Sequence, residues 1–471
     1  MRVLFATSEA RPFAASGGLA DVAGSLPKAI RQKEVACRVV MPLYGDISDE
    51  WRSKMTYLCN FKVSVGWRMQ YCGIFECNLN GVIFYFIDNE YYFKRPGLYG
   101  FYDDAERFAF FSRAVLEMIW HIDFVPDILH CNDWQTALVP VYHDLFYRYN
   151  ERFAQMKTVF TIHNIQYQGK YGFELMEEVL GIPKYATELM RYDDCLNLVK
   201  AAVEVSTRVT TVSPSYAQEI QDPWYAHGLD RELRNHVGKL TGILNGIDYE
   251  TNNPETDGQI YKTFSAGDLA GKQANKQGLM NEVGLPMSDE PLVGIVSRLV
   301  DHKGFDLVKY GFEKLVNDGF KFVVLGSGDY IYESFFNEMH ARYPERVSTT
   351  IGFLPPLSKK IYAGADMFLM PSKSEPCGLA QMIALRYGAI PIVRETGGLR
   401  DSIHDCSLGQ GNGFTFRGYD AGQMMDALYR AKNVYYDKQA WASLVKYGMS
   451  CDFSWNVSAE RYVQMYNEIL R

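Results

Sequence analysis

The chain has 471 residues, of which 47% are apolar and 22% charged, and its 48 Lys and Arg against 56 Asp and Glu give a net charge of -8. This length favours two or more domains, and the composition excludes a disordered, fibrous or membrane-embedded chain. Because the net negative charge repels phosphate backbones, we expect neither a nucleic acid nor an anionic membrane as a partner.

The first half of the chain alternates short apolar runs with segments of helical period. Residues 2–7 form an apolar run, and the segment from Leu19 to Ile30, after a glycine pair, predicts a helix. Continuous apolar runs typical of strands buried in a parallel sheet recur at Cys37–Met41, Asp127–His130, Thr158–Ile162 and Arg208–Val212. Helices are predicted at Ala105–Ile122 and Thr136–Tyr147. The pattern predicts an α/β domain over residues 1–245.

A turn-rich stretch from Asn245 to about Asp289 predicts a domain boundary. The strand pattern then restarts at Leu292–Val296, Lys321–Leu325, Met367–Met370 and Ile390–Val393. These runs predict a second α/β domain over residues 246–450. The tail, residues 451–471, carries apolar and aromatic residues on a helical period and predicts a helix that packs back on the domains.

One five-residue pattern occurs in both halves, Gly-Gly-Leu-x-Asp at residues 17–21 and 397–401, each time between a strand end and a helix start. It suggests two related domains. Ligands of such sheets bind outside the carboxyl ends of the strands, so two facing sheets would gather the polar strand ends around one interdomain cleft.

Two features could hold a phosphate. A glycine pair at a helix start offers unpaired N–H groups to an anion, although such a pair by itself is more often a plain tight turn. Arg298 ends a predicted strand and Lys303 follows five residues later, a combination that suits a diphosphate, or that forms an ordinary surface loop. The sequence has no G-x-G-x-x-G fingerprint, which excludes a dinucleotide-dependent dehydrogenase.

Three further polar residues follow predicted strands. Glu375 precedes a proline, which holds its backbone extended at the strand end, although a helix-entry residue would look the same. Asp133 and His163 also end strands, where structural roles are common. The sequence lacks a D-x-D pair, H-E-x-x-H, a P-loop and a G-x-S-x-G elbow. We therefore expect no metal, and the charge of a bound diphosphate to be met by Arg, Lys and helix N-termini.

The nine cysteines are scattered without C-x-x-C pairs, which is typical of reduced thiols and predicts a cytoplasmic protein. The apolar run at the N-terminus meets Glu9 and Arg11 too early for a signal peptide. No other stretch approaches the ~18 apolar residues of a membrane helix.

Seven motifs, in order along almost the whole chain, resemble those of bacterial glycogen synthase and plant starch synthase. They lie at residues 8–22, 130–134, 161–169, 244–248, 297–304, 375–379 and 396–401. The resemblance implies a GT-B fold, in which two Rossmann-like domains face an interdomain cleft and the C-terminal helix returns to the first domain. It implies transfer of glucose from ADP-glucose to the non-reducing end of an α-1,4-glucan, with retention and without a metal.

The resemblance also implies roles for individual residues. Arg298 and Lys303 are expected to hold the distal phosphate, Glu375 to contact the donor glucose, and His163 and Asp133 to line the sugar site. Donor contacts are expected at Gly17, Gly18, Asp21, Asn245, Ser297, Gly352, Phe353, Cys377, Gly378, Leu379, Thr396 and Gly397, with Phe353 at the position of the aromatic residue that stacks on adenine. Acceptor contacts are predicted at Tyr99, Trp134 and Tyr167.

The sequence departs from the family pattern at Ala15, where the glycine loop usually carries a lysine, and at Ile383, the second acidic position of E-x7-E. Arg11, Lys28 or the loop amides could compensate for the missing lysine, or the site is weakened. Two alternatives therefore stay open: the same reaction with UDP-glucose, or a catalytically weak relative that binds glucan or nucleotide sugar. Without a second carboxylate, same-face attack is the favoured route to retention.

Overall fold

The computed structural model describes residues 1–471, and the chain divides into two compact units. The first unit comprises Met1–Gly246 together with Trp455–Arg471, and the second comprises Ile247–Ser454. None of the helices combines the length with the apolar character that crossing a membrane requires.

The first unit contains twelve strands. They are β1 (Arg2–Ala6), β2 (Ala36–Pro42), β3 (Thr56–Val65), β4 (Arg68–Leu79), β5 (Val82–Asp88), β6 (Ile128–Asn132), β7 (Lys157–Ile162), β8 (Lys170–Tyr171), β9 (Arg191–Tyr192), β10 (Cys195–Asn197), β11 (Arg208–Thr211) and β12 (Leu240–Gly242). Nine of them form one sheet in the order β12-β11-β7-β6-β1-β2-β5-β4-β3, and β8-β10-β9 form a small antiparallel sheet.

The α-helices of this part of the chain are α1 (Gly18–Arg31), α2 (Asp49–Arg52), α3 (Glu90–Phe93), α4 (Asp104–Glu117), α5 (Leu138–Tyr142), α6 (Leu175–Glu178), α7 (Thr187–Met190), α8 (Leu198–Val205), α9 (Pro214–Glu219) and α10 (Asp230–Asn235). Short 3-10 turns lie at Met118–Trp120, Trp134–Thr136, Lys184–Ala186 and Val237–Lys239, and a π turn at His143–Tyr147. The segment 136–147, predicted as one helix, is therefore a succession of 3-10, α and π turns.

The nine-stranded sheet is parallel from β12 to β5 and antiparallel only at β4 and β3. Continuous apolar runs in the sequence predict five of the parallel strands, β1, β2, β6, β7 and β11, and β1, for example, is buried from Val3 to Ala6. The parallel strands β5 and β12 were not predicted. The sequence did not indicate β3 and β4, because their residues alternate between exposed and buried positions. Neighbouring β7, β6 and β1 bring the segments after their carboxyl ends together.

The second unit has one parallel sheet of six strands in the order β15-β14-β13-β16-β17-β18, the strand order of a Rossmann fold. The strands are β13 (Leu292–Val296), β14 (Lys321–Gly326), β15 (Val347–Ile351), β16 (Met367–Met370), β17 (Ile390–Arg394) and β18 (Phe414–Phe416). The helices are α11 (Ala270–Glu282), α12 (Phe305–Asn317), α13 (Tyr330–Arg342), α14 (Pro355–Gly364), α15 (Ala380–Arg386), α16 (Gly397–Ser402), α17 (Ala421–Tyr436) and α18 (Lys438–Ser450), with 3-10 turns at Asp301–Lys303 and Cys406–Leu408.

The last helix, α19 (Trp455–Leu470), packs against α1 in the first unit. Its Tyr462 and Tyr466 are fully buried, and the hydroxyl of Tyr466 lies 2.6 Å from Nδ1 of His130 in β6. An ion pair of 2.6 Å joins Lys33 to Glu460. The helix thus supports the strand that leads to Asp133.

Candidate active site

The loop at residues 15–18 of the first unit, called the glycine loop, is held by a buried carboxylate. Glu9 follows β1, is 4% exposed, and accepts hydrogen bonds from the backbone amides of Ser16 and Gly17. Burial raises the pKa of Glu9, although these amides oppose the rise. Gly17 is the N-cap of α1 and no side chain caps this end, so backbone N–H groups beside Gly18 stay available to an anion.

No lysine accompanies these amides. Ala15 is exposed, and one candidate to replace the missing cation, Arg11, is paired with Asp21 at 2.6 Å. Burial raises the pKa of Asp21, and the guanidinium of Arg11 acts against that rise. The loop therefore offers amides and a neutralised ion pair.

Asp133 and His163 meet at the ends of β6 and β7. Asp133 has a left-handed backbone, with φ of +57°, and its carboxylate accepts the backbone N–H of His163 at 2.7 Å and of Asn164 at 3.4 Å. Burial raises the pKa of Asp133 to about 7 and lowers the pKa of His163 to about 3. At neutral pH His163 is therefore uncharged.

The three predicted acceptor residues differ in environment. The Tyr99 hydroxyl lies 2.7 Å from Oγ of Ser8, next to Glu9, and burial raises the pKa of Tyr99. Trp134 packs with its ring edge-on to Phe108, whereas Tyr167 is 52% exposed. Only Tyr99 of the three is therefore brought by a hydrogen bond to the end of β1.

The loop that carries Tyr99 is fixed by a buried arginine that the sequence did not indicate. Arg107 is 0% exposed and donates to the carbonyl oxygens of Tyr92 at 2.7 Å and Leu98 at 3.1 Å. It is paired with Asp104 at 2.6 Å. Its Nη2 has no hydrogen-bond partner.

Asn245, near the end of the first unit, is 6% exposed. Its backbone N–H donates to the carbonyl of Val212 at 3.3 Å, but its Oδ1 is buried without a hydrogen-bond partner. An unsatisfied buried amide oxygen costs about 1–3 kcal/mol, so a ligand hydroxyl that donates to it would be favoured.

In the second unit, a buried ion pair joins two strand ends. Lys303 lies after β13 and Glu375 after β16, with Nζ and Oε2 2.7 Å apart. Glu375 also accepts from the hydroxyl of Ser372 at 3.0 Å. Burial acts to raise the pKa of Glu375, but Lys303 and Ser372 outweigh it, so the pKa lies below its ordinary value. Glu375 is therefore an anion at neutral pH.

Arg298 follows β13 and is exposed, and its guanidinium makes no hydrogen bond or ion pair within the protein. Its neighbour Ser297 donates its hydroxyl to the Arg298 carbonyl at 3.0 Å. The charges of Arg298, Lys303 and Glu375 all act on His302, whose pKa burial lowers. These groups therefore form one cluster with a free guanidinium.

Close backbone contacts fix the loops around this cluster. Gly397 has φ of +45°, and a Cβ there would overlap the carbonyl oxygen of Glu375. The amide of Gly398 donates to the carbonyls of Glu375 at 3.2 Å and Pro376 at 3.1 Å. Thr396 is fully buried as the N-cap of α16. The loops after β16 and β17 are thus locked together.

The predicted donor-site residues Cys377, Gly378 and Leu379 follow Pro376 in the loop after β16. Cys377 is buried, and Gly378 has φ of +71°. Gln381 donates from Nε2 to the carbonyls of both, at 3.1 and 2.9 Å. Leu379 is half-buried as the N-cap of α15. This helix carries Ile383 in place of a second carboxylate.

Gly352 and Phe353 follow β15. The amide of Gly352 donates to the carbonyl of Gly326 at 3.0 Å, and its φ of +148° is one that a side chain rarely adopts. Phe353 is 81% exposed, so its ring is free to stack on a planar ligand. The structure contains no group of three or more His, Cys, Asp and Glu side chains placed to hold a metal ion.

Comparison with known proteins gives matches over both units. Residues 2–235 match the family model of the starch synthase catalytic domain, and residues 280–442 match that of glycosyl transferases group 1. The whole chain is 47% identical to the glycogen synthase of Clostridium novyi (strain NT), of which it covers 99%. It is 48% identical to that of Geobacillus thermodenitrificans (strain NG80-2), of which it covers 98%.

Among solved structures, one similar to this chain is the catalytic domain of starch synthase IV from Arabidopsis thaliana bound to ADP and acarbose. The TM-score is 0.90 at 36% identity, with 100% of this chain and 99% of that chain covered. Sucrose-phosphate synthase from Thermosynechococcus elongatus gives a TM-score of 0.62 at 15% identity over 99% of this chain and 98% of that one, a likeness of fold alone.

Proposed function

Because the chain belongs to the glycogen synthase family of GT-B glycosyltransferases, we propose that it transfers glucose from ADP-glucose to the non-reducing end of an α-1,4-glucan, with retention. Family membership makes it a glucosyltransferase of glycogen or starch synthesis. The choice of donor, the stereochemistry and the roles of single residues are the proposed part.

The observation that carries the proposal is the cluster in the second unit. A free guanidinium at Arg298 lies in one cluster with the buried pair of Lys303 and Glu375. A protein that only binds glucan has no need of clustered cations, whereas departure of a nucleoside diphosphate needs them. The cluster therefore favours an enzyme over a relative that binds glucan alone.

The cations act on the leaving group. Breaking the bond from the anomeric carbon to the phosphate oxygen places negative charge on the diphosphate and positive charge on the sugar. Preorganised cations lower this barrier more than groups that must reorient. We assign the distal phosphate to Arg298, which can form a bidentate contact, and to Lys303, which supplies a point charge.

Three residues are assigned to the sugar. Glu375 is an anion at neutral pH and so can accept a hydroxyl hydrogen and stabilise the positive charge of the sugar. His163 is neutral and acts through hydrogen bonds, and Asp133, whose pKa burial raises to about 7, holds the backbone of His163 in place.

For retention we propose same-face attack. The acceptor hydroxyl oxygen bonds to the anomeric carbon on the side from which the diphosphate leaves, and the acceptor proton passes to a phosphate oxygen. The support is the absence of a second carboxylate at Ile383, where the wider E-x7-E pattern would supply one. Exclusion of water then limits hydrolysis.

The remaining donor contacts are assigned to backbone and ring surfaces. Gly17, Gly18 and Gly397 offer loop backbone for the phosphates, and Phe353 offers its exposed ring to adenine. Asn245 offers its unsatisfied Oδ1 to a sugar hydroxyl. Since the sequence has no D-x-D pair, we propose transfer without a metal cofactor.

For the acceptor, the proposal favours Tyr99, which is hydrogen-bonded at the end of β1, with Trp134 and Tyr167 as further contacts. The proposal includes a cytoplasmic location, supported by nine cysteines that are all free. UDP-glucose remains the alternative donor, because an aromatic ring stacks on uracil as well as on adenine.

The test is an assay of glucose transfer to glycogen from ADP-glucose or UDP-glucose in the presence of EDTA. The measured quantities are nucleotide release and chain growth. We expect transfer from ADP-glucose that EDTA does not reduce, and product that an α-1,4-specific glucosidase degrades. Arg298→Ala should lose activity, whereas Arg417→Ala, which removes an 82% exposed arginine of the same unit, should not. Absence of transfer from both donors would refute the proposed transfer activity.

A further inference from the structure

The amide of Asn132 has only one possible orientation. Asn132 is the last residue of β6, is 0% exposed, and its Nδ2 donates to the carbonyl of Ala6 at 2.9 Å and, more weakly, to that of His130 at 3.5 Å. Turning the amide over would point its oxygen at two carbonyl oxygens. Oδ1 of Asn132 therefore faces Nε2 of His163, 2.9 Å away.

This orientation fixes the tautomer of His163. Because Oδ1 can only accept, Nε2 of His163 must carry the hydrogen. Burial lowers the pKa of His163 to about 3, so the ring is neutral and Nδ1 is a bare acceptor. Nδ1 makes no hydrogen bond within the protein, and it is not among the buried polar atoms that lack a partner. Its lone pair therefore reaches open space.

We infer that Asn132 is a positioning residue: it holds His163 as the Nε2–H tautomer, so that Nδ1 accepts a hydrogen bond from a hydroxyl of the transferred sugar. The identity of the sugar rests on the proposed function, whereas the tautomer is a property of the resting protein. The two parts can therefore be tested separately.

The tautomer is read from the ring nitrogens of the full-length chain labelled with ¹⁵N-histidine. In the resting protein we expect Nε2 of His163 protonated and Nδ1 unprotonated, with His163→Gln identifying the signals. Asn132→Leu removes the acceptor and should give a mixture of tautomers. The matched control is Thr210→Val. It removes the buried 2.5 Å hydrogen bond between the hydroxyls of Thr210 in β11 and Thr161 in the neighbouring strand β7.

Kinetics test the link to the sugar. Asn132→Leu should lower kcat/KM for ADP-glucose severalfold, up to roughly the tenfold worth of one hydrogen bond, because only part of its His163 rings keep Nδ1 as an acceptor, while Thr210→Val stays near the wild type. Asn132→Asp places a carboxylate against the ring and favours the imidazolium, whose Nδ1 is a donor. Its activity should therefore fall at acidic pH and return at higher pH, so that the acid limb of kcat/KM moves upward.

Other titratable groups surround His163, namely His130 from β6, Asp133 at the end of that strand and, near Asp133, Glu9. All of these groups remain in the Thr210→Val control. An upward shift of the acid limb of kcat/KM that occurs only in Asn132→Asp therefore identifies His163 as the titrating group. Rescue of the Asn132→Asp activity at high pH also shows that this variant folds.

A resting protein with Nδ1 of His163 protonated would overturn the inference, and so would an acid limb in Asn132→Asp that matches the control. Failure of the proposed function looks different. The wild type would then transfer glucose from neither donor, which overturns the assigned sugar contact, while the ring nitrogens would still decide the tautomer.

Discussion

Replacing Lys303 by methionine isolates the energetic role of the buried ion pair. The Lys303 and Glu375 side chains are 17% and 9% exposed, and Ser372 is the other side chain hydrogen-bonded to the carboxylate. Removing one partner of a buried pair costs about 3–5 kcal/mol, because the other charge is left buried. Since Lys303 is partly exposed, we expect about 3 kcal/mol.

The assay is thermal unfolding of the full chain at pH 7, with Lys303→Met, Glu375→Gln and the double variant. At about 2–4 °C per kcal/mol for a domain of this size, Lys303→Met should lower Tm by about 6–12 °C. The double variant should recover most of this loss, since no buried charge remains, yet none of the three variants should transfer glucose.

The pH dependence follows from the pKa of Glu375, which lies below its ordinary value of 4.5. A depressed carboxyl pKa contributes stability that is present above the unfolded value and lost as pH falls through the folded value. The Tm difference between wild type and Lys303→Met should therefore shrink below pH 4.5. A double variant as unstable as the single one, or a difference that persists in acid, would refute the charge argument.

Three further predictions concern other residues. Ala15→Lys should lower the donor KM or raise kcat, since it adds a cation beside the loop amides; kinetics with ADP-glucose check it. Gly397→Ala should destabilise the protein by at least about 1–3 kcal/mol and abolish transfer, because a Cβ would overlap the Glu375 carbonyl at positive φ; urea unfolding checks it. Tyr466→Phe should cost about 1 kcal/mol through the lost hydrogen bond to His130, again by urea unfolding.

Each of these has a matched control. Ala154→Lys adds the same charge at another exposed alanine and should leave the donor KM unchanged. Gly258→Ala changes a glycine with open space around it, and Tyr185→Phe changes a 77% exposed tyrosine, so both should be near neutral. No change in KM or kcat for Ala15→Lys would mean that the charge is supplied elsewhere. The prediction for Gly397→Ala is contradicted if Gly258→Ala destabilises the protein equally, and that for Tyr466→Phe if Tyr185→Phe does.

The sequence predicted most of the parallel strands because strands buried on both faces read as continuous apolar runs, as at Leu292–Val296 and Met367–Met370. The parallel strands that it did not predict include Val82–Asp88, Leu240–Gly242 and Val347–Ile351. It did not predict Thr56–Val65 or Arg68–Leu79, whose residues alternate in burial and whose pairing is antiparallel. A search for period-two alternation would have found them.

The site was predictable as a set of strand ends, but its contacts were not. Lys303 and Glu375 are 72 positions apart in the chain, and only the adjacency of β13 and β16 brings them together. Glu9 stood in a recognised motif, yet its role as the anchor of Ser16 depends on the path of the intervening loop. Which strand ends meet is set by the order of the strands in the sheet, and this order depends on the whole fold.

The pairing of charged side chains in each unit bears on the expected affinity for an anionic donor. In the first unit Arg11 is paired with Asp21, and the carboxylate of Glu9 accepts a hydrogen bond from the loop amide of Ser16. In the second unit, Lys303 is paired with Glu375, so Arg298 is the cation of the cluster without a carboxylate partner. With a net charge of -8 opposing an anionic donor, we expect the uncompensated positive charge at Arg298 to supply much of the electrostatic attraction. A lysine at position 15 would add an unpaired positive charge to the loop at residues 15–18, which is why we expect Ala15→Lys to change the kinetics with the donor.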